Sequence, residues 1–194
     1  MKEEETENFD QSSVPLPLDI PDASIIIRSS DQVIFRVHKS VLAMNSPFFK
    51  DMLSLPQPPD DELIDGLPVV QLSEDASVLS NLISLLYLTW RRTKPGSYEM
   101  VYALLAACQK YDMELVQLDI RENVERGTFP APDKAQAFSA YALANNLGLI
   151  PEMEYTAFLT RGQPMTFESL GEGLRAYKGR ALCDLVRYRA ENSS

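Results

Sequence analysis

The hydrophobic rhythm of the chain changes period at one point, and that change limits the fold more than any other feature. In "QVIFRVHKSVLAMNSPFFKDML", Val33, Phe35 and Val37 alternate with Gln32, Ile34 and Arg36, the pattern of a strand with one buried face. After His38 the spacing becomes helical. Lys39–Met44 reads as a short helix that Asn45 ends. Ser46 then suits a helix cap, Pro47 suits the first helical position, and Phe48, Phe49, Met52 and Leu53 recur at helical spacing. Upstream, Ser24–Arg28 is a β-branched run joined to Val33–Val37 by a Ser-Ser-Asp turn, so the two form a hairpin.

A third short strand is read at Val69–Leu72. The stretch before it, "SLPQPPDDELIDGLP", is proline-rich and acidic and is expected to be a surface loop without regular structure. From residue 73 onward the text is helical. Ser73 is the expected cap of "SEDASVLSNLISLLYL", whose Val78, Leu79, Leu82, Ile83 and Leu86 line one face. Two more helices, "YEMVYALLAACQKY" and "MELVQLDIRENVERG", break for one turn near Asp112. Asp133 with Gln136 forms the signature of a capping box ahead of "AQAFSAYALANNLG". Pro151 opens a further helix, and a last one is placed within Leu174–Ala190. The expected class is α+β: a small three-stranded sheet flanked by a cluster of helices and followed by a helical extension. The expected divisions are an acidic, proline-spaced tail over 1–21, a core domain over 22–127 and the helical extension over 128–194.

Composition narrows the function. Hydrophobic residues make up 45% of the 194, enough for a packed core, and the formal net charge is −10. That field repels phosphate backbones and anionic lipid, so neither nucleic acid nor membrane is an expected partner. No basic, apolar leader opens the chain, and the longest apolar run, "LISLLYLTW", falls far short of the roughly 20 residues of a membrane span. A soluble, intracellular protein, cytoplasmic or nuclear, is expected. Cys108 and Cys183 both sit in apolar helical text and are expected to be buried thiols without a disulfide.

His38 is the only histidine. A general base needs a nucleophile within reach, and its flanks offer only Ser40 and Ser46 in ordinary contexts. A metal site needs three or four ligands, and neither a second histidine nor a CxxC pair is present. Asp60, Asp61, Glu62 and Asp65 lack the alternating spacing of a calcium loop and read as a solvated loop. No cofactor or metal is expected. At a strand-to-helix switch, a histidine ring serves architecture by satisfying backbone groups left without partners. An enzymatic alternative would draw on Asp119, Arg121, Glu122, Glu125 and Arg126. Those charges also fit a solvated helix face with an i,i+4 pair, Glu122–Arg126, and that reading is preferred. "TWRRTKP" presents Trp90, Arg91, Arg92 and Lys94, residue types favoured at protein interfaces.

"DASIIIRSSDQVIFRVHKSVLAMNSPFFKDML" resembles the start of a BTB/POZ domain. Asp22, Phe35, Val37, His38, Lys39, Val41, Leu42, Ala43, Ser46, Pro47 and Phe49 follow that family's pattern in order, and the likeness runs to about Arg126. "SLPQP" and "IDGLPVV" are similar to a BTB group abundant in mushroom-type fungi. The resemblance implies a non-catalytic protein-interaction module, with His38, Lys39, Ser46, Pro47 and Phe49 as structural motif residues. Its partners would be protein: a second copy of itself, or a cullin scaffold of a ubiquitin ligase. Asp22 and Lys39 match positions near a charged pocket at the dimer surface of some members. Cullin adaptors often carry a hydrophobic–x–Glu element after the Ser-Pro helix, where this chain has Leu55, Pro56 and Gln57. Members with a swapped strand and helix place them ahead of the core, where residues 1–21 do not suit a helix. The expected interaction surface comprises Asp22, Lys39, Leu55, Pro56, Gln57, Trp90, Arg91 and Arg92.

Overall fold

The computed structural model describes residues 22–56, 62–87, 94–166 and 180–192. Four strands form one mixed sheet: β1 (Ile25–Arg28), β2 (Ile34–Val37), β3 (Leu63–Ile64) and β4 (Leu67–Gln71). The spatial order is β2-β1-β4-β3, with β1 antiparallel to β2 and parallel to β4. β1 is central, and Ile25, Ile26 and Ile27 are all buried, so both of its faces are covered. That is why its sequence is an unbroken β-branched run and not an alternating one. β2 lies at the edge and alternates: Phe35 and Val37 are buried, Ile34 and Arg36 only half so.

The sheet has four strands where three were expected. The fourth, β3, lies in the stretch read as an irregular loop. Asp65 and Gly66 form the two-residue connection between β3 and β4, and both have positive φ, 51° and 75°. That is the mirror-image turn whose twist matches antiparallel strands, and Asp-Gly is its favoured pair. Two acids of the same stretch also hold the sheet. Glu62 accepts a bidentate pair from Arg28 at 2.8 and 2.7 Å, and Asp65 pairs with Arg36. Asp60 and Asp61 lie outside the described residues.

Eight helices complete the described chain: α1 (Lys39–Asn45), α2 (Pro47–Ser54), α3 (Ala76–Leu86), α4 (Tyr98–Lys110), α5 (Glu114–Glu125), α6 (Ala137–Leu147), α7 (Ile150–Leu159) and α8 (Arg180–Glu191). Ser46 caps α2, accepting from the Phe49 amide at 3.0 Å with Pro47 in the first turn. The cap of α3 is Asp75, not Ser73: its carboxylate accepts from the Val78 amide at 2.9 Å. Asp31, from the β1–β2 turn, takes the Ala76 amide at 2.9 Å. Asp112, in the left-handed region at φ 51°, makes the break between α4 and α5. α5 ends on Gly127 (φ 68°): the Gly127 amide bonds the Val124 carbonyl and the Thr128 amide bonds the Asn123 carbonyl. That double closure satisfies the last carbonyls and turns Phe129 back into the core. The capping box ahead of α6 is reciprocal: the Gln136 amide donates to Asp133 at 2.9 Å, and the Asp133 amide donates to the Gln136 side chain at 3.1 Å.

The main core packs β1, β2 and α1 to α5 together, and it continues past residue 127 into α6, where Ala140 and Ala144 join it. Small residues there let α6 approach α4 closely. The other side of α6, Phe138 and Tyr141, forms a second cluster with Ala157 of α7 and with Ala181 and Leu185 of α8. Cys108 is buried in the main core. Cys183, expected to be buried, is exposed on α8, because the buried stripe of that helix runs through Ala181 and Leu185. Both thiols are free. No described helix is long and apolar enough to cross a membrane.

The Asp65–Gly66 turn sets the register of β3 against β4. Gly66→Val places a β-branched residue at φ 75° and is expected to cost about 1–2 kcal/mol. Gly66→Asn, which tolerates that region, should cost less than half as much. Urea unfolding of the two variants measures the difference; equal midpoints would show that the turn is not the constraint.

Candidate functional site

The α1–α2 corner is fixed from beneath by the α4–α5 junction. Ser46 is fully buried, and its hydroxyl both accepts from Phe49 and donates to the Tyr111 carbonyl. The Tyr111 ring lies 5.0 Å from that of Phe49 and 5.6 Å from that of Phe48. The Tyr111 hydroxyl donates to Glu74, which also takes the Lys110 ammonium at 2.8 Å. Lys110 reaches Ser73 as well, which is the place of that serine in the structure. The corner is therefore anchored through Tyr111 to the start of α3.

Charge follows from that anchoring. Burial alone would raise the Glu74 carboxyl, but hydrogen bonds from Lys110 and Tyr111 outweigh it and hold the group below its ordinary value of 4.5. Burial, and then the bond to Glu74, push the Tyr111 hydroxyl well above the usual tyrosine range. The carboxylate stays ionised and the phenol protonated, so the short contact between them persists at neutral pH.

Around this frame several large apolar side chains are exposed. Met44 at the end of α1 is 78% exposed and Phe48 in the first turn of α2 is 41% exposed. They stand four residues apart across the Asn45–Ser46 break. Leu55, 66% exposed, follows α2, and Leu115, 76% exposed, opens α5 just past the junction.

A second constellation joins the sheet to α3. The Nε2 of His38 lies 3.2 Å from the Asp22 carboxylate, and Nδ1 lies 3.0 Å from the Tyr87 hydroxyl. That hydroxyl accepts the backbone amide of His38 at 2.9 Å, so its own proton points to Nδ1. That geometry leaves Nε2 to face the Asp22 carboxylate as a donor. Burial raises the Tyr87 hydroxyl, which keeps it a donor. The partners of the imidazole are thus two side chains; the backbone amide at the junction is satisfied by Tyr87, not by the imidazole.

The other expected residues are placed as follows. Lys39 begins α1, with its amide held by the Ser24 hydroxyl at 2.9 Å. Asp22 is exposed and takes His38 as its partner. Pro47 is exposed in the first turn of α2, Phe49 is buried beneath it, and Leu55 and Pro56 are exposed. Gln57, Trp90, Arg91 and Arg92 lie outside the described residues. Of the charges on α5, Glu122 and Arg126 form the expected i,i+4 pair at 2.8 Å. Arg121 leaves that face and bonds Glu152 of α7 at 2.8 and 3.3 Å. Among the described residues no three histidine, cysteine or carboxylate side chains converge as a metal site. Sequence reading did not find Tyr87, Tyr111 or Glu74, because each acts through a partner more than 35 positions away.

The described chain is thus a mixed sheet backed by helices, with Met44 and Phe48 exposed at the α1–α2 corner. A family model of the BTB/POZ domain matches residues 19–126, more than half of the chain, and the chain belongs to that family. BTB/POZ domains are protein–protein interaction modules and as a class not enzymes. No curated protein matches the chain.

The linkage through Glu74 has a sign. Its folded value lies below 4.5, so the ionised carboxylate adds stability that is present at neutral pH. That stability is lost as pH falls from about 4.5 through the lower folded value. Glu74→Gln is expected to lower stability by about 1–2 kcal/mol at neutral pH. The gap to the unmodified protein should shrink under acid conditions, followed by urea unfolding at about pH 7 and about pH 3.5. A gap independent of pH would remove Glu74 as the anchor.

Proposed function

We propose that this protein is a non-catalytic assembly module whose α1–α2 corner receives a protein partner, in the first instance a second copy of the chain. The observation that carries the reading is the exposure of Met44 at the end of α1 and of Phe48 in the first turn of α2, on either side of the buried Ser46. Large apolar side chains set together on a surface mark association sites, and a buried frame beneath them keeps the cost of ordering low on binding. In this reading His38, Lys39, Ser46, Pro47 and Phe49 build and hold the corner, while Met44, Phe48, Leu55 and Leu115 make contact. Sedimentation equilibrium tests it. The protein is expected to self-associate at micromolar concentration, and Met44→Glu with Phe48→Glu should weaken association by at least about thirtyfold. A protein that remains monomeric at high micromolar concentration would exclude the self-association reading.

A second reading, docking on a cullin as a ubiquitin-ligase adaptor, is favoured by Leu55 alone. It stands exposed on extended backbone (φ −72°, ψ 145°) straight after α2, where adaptors of that class carry a hydrophobic–x–Glu element. The glutamate position is occupied by Gln57. Losing a charge-assisted contact costs about 1.5–3 kcal/mol, or roughly tenfold to a hundredfold in affinity. Titration calorimetry against the N-terminal domain of the host's own cullin is expected to give a dissociation constant weaker than about 1 μM. A submicromolar value would place the adaptor reading first.

A further inference from the structure

Between the end of β4 at Gln71 and the start of α3 at Ala76, Leu72, Ser73, Glu74 and Asp75 belong to neither element. Ser73 is exposed there. Glu74 and Asp75 follow it, and no other described serine is followed directly by two acids. Kinases choose among hydroxyls by access and by the charge pattern around them. An exposed serine on irregular chain, with carboxylates on its C-terminal side, suits a kinase whose substrate groove is basic. Ser46, which precedes a proline, is fully buried and closed to any kinase in the folded chain.

The Ser73 hydroxyl accepts from the Lys110 ammonium and donates to Glu74 at 3.2 Å. Lys110 also bonds Glu74 at 2.8 Å, and Glu74 takes the Tyr111 hydroxyl. One ammonium thus serves both the serine and the carboxylate that anchors Tyr111. The Glu74 side chain is only 13% exposed, so its charge depends on those partners more than on water. The β1–β2 turn lies against the same point. The Ser30 amide bonds the Glu74 carbonyl at 2.8 Å, and Asp31 holds the Ala76 amide at 2.9 Å. Three carboxylates, Asp31, Glu74 and Asp75, therefore gather around the start of α3 with the Lys110 ammonium.

We propose that Ser73 is a phosphorylation site for an acid-directed serine kinase. The kinase moves the γ-phosphoryl group of ATP to the Ser73 oxygen. The bond between the γ-phosphorus and the β–γ bridging oxygen breaks, the new O–P bond forms, ADP leaves and the hydroxyl proton passes to the kinase's base. The phosphoserine carries about −1.5 to −2 charge at neutral pH. It draws Lys110 off Glu74 and sets a second anion beside a largely buried carboxylate. Glu74 then releases the Tyr111 hydroxyl, and the ring packed against Phe48 and Phe49 loses its tie to α3. Phosphate is thereby a release signal for the α1–α2 corner, a consequence that rests on the reading of that corner as an association site.

Treatment of the full chain with casein kinase II and ATP, followed by mass mapping, tests it. The expected result is phosphate on Ser73. Relative to Ser73→Ala treated in the same way, the unfolding temperature should fall by at least about 3 °C. In Glu74→Gln, which offers phosphate no charge to oppose, the fall should be less than about 1 °C. In sedimentation the phosphorylated chain should self-associate at least about threefold more weakly. A chain already monomeric before treatment overturns the corner reading, and the temperature shift then decides the phosphorylation site alone. An unmodified Ser73, an unfolding temperature that phosphate there does not lower, or an equal fall in Glu74→Gln overturns the proposal.

Discussion

The parallel pairing of β1 with β4 is the constraint on which the rest of the structure depends. Antiparallel neighbours need only a tight turn, but two parallel strands require the chain to cross from one end of the sheet to the other. β2, antiparallel to β1, makes that return here, and residues 38–66, which contain α1 and α2, then take the chain from β2 past β1 to β4 on its other side. The outward apolar corner is therefore a product of sheet topology. The burial of Ile25, Ile26 and Ile27 also follows from that pairing, since a central strand with a crossover is covered on both faces. A strand with a polar face could not occupy that position.

Ser46 shows how the local and the tertiary requirements coincide. A cap serine needs only to accept from its own helix, and "SPFF" meets that need by itself. The same hydroxyl donates to Tyr111, so the cap also becomes the pin between the corner and the α4–α5 junction. Both hydrogen-bonding capacities of a fully buried hydroxyl are thereby used, which is what makes its burial tolerable. Phe48 remains at the surface for a related reason. Phe49 takes the inward position against Tyr111, while Phe48, about 100° further round the helix, meets the same ring from the rim and keeps part of its surface open.

What the sequence made legible follows from range. The β1–β2 hairpin, the Ser46 cap, the Asp112 break and the Asp133–Gln136 box are each decided within four residues, where local sterics and hydrogen bonds act. β3 was not legible, because a two-residue strand has no period to detect and its Asp-Gly turn sat in proline- and acid-rich text. Ser73 reads as the cap of α3, but the helix starts at Ala76 with Asp75 as cap, and Ser73 is instead a partner of Lys110, 37 positions away. Cys183 looked buried because its neighbours are apolar, yet only one stripe of α8 meets Phe138 and Tyr141. The candidate corner was half visible: its frame residues carry a motif, while the exposed Met44 and Phe48 look in sequence like any other helix residues.

The helical extension poses a question of magnitude. Arg121 of α5 and Glu152 of α7 form a two-point ion pair across the seam, with side chains 28% and 11% exposed. Removing one member of such a half-buried pair leaves the other desolvated and costs several kcal/mol. Forming the pair contributes far less, because both groups first lose their hydration. The exposed Glu122–Arg126 pair, 67% and 57% open at the two side chains, is worth about 0.3–0.5 kcal/mol at most. Neither pair can hold a helical block in place. The apolar surface of α6 can, since Ala140 and Ala144 bury into the main core while Phe138 and Tyr141 carry the second cluster. Each large side chain fully buried contributes roughly 1.5–3 kcal/mol. The ion pair then links α7 to α5, and α6 supplies the attachment, so the two cores are joined by one helix with two apolar faces.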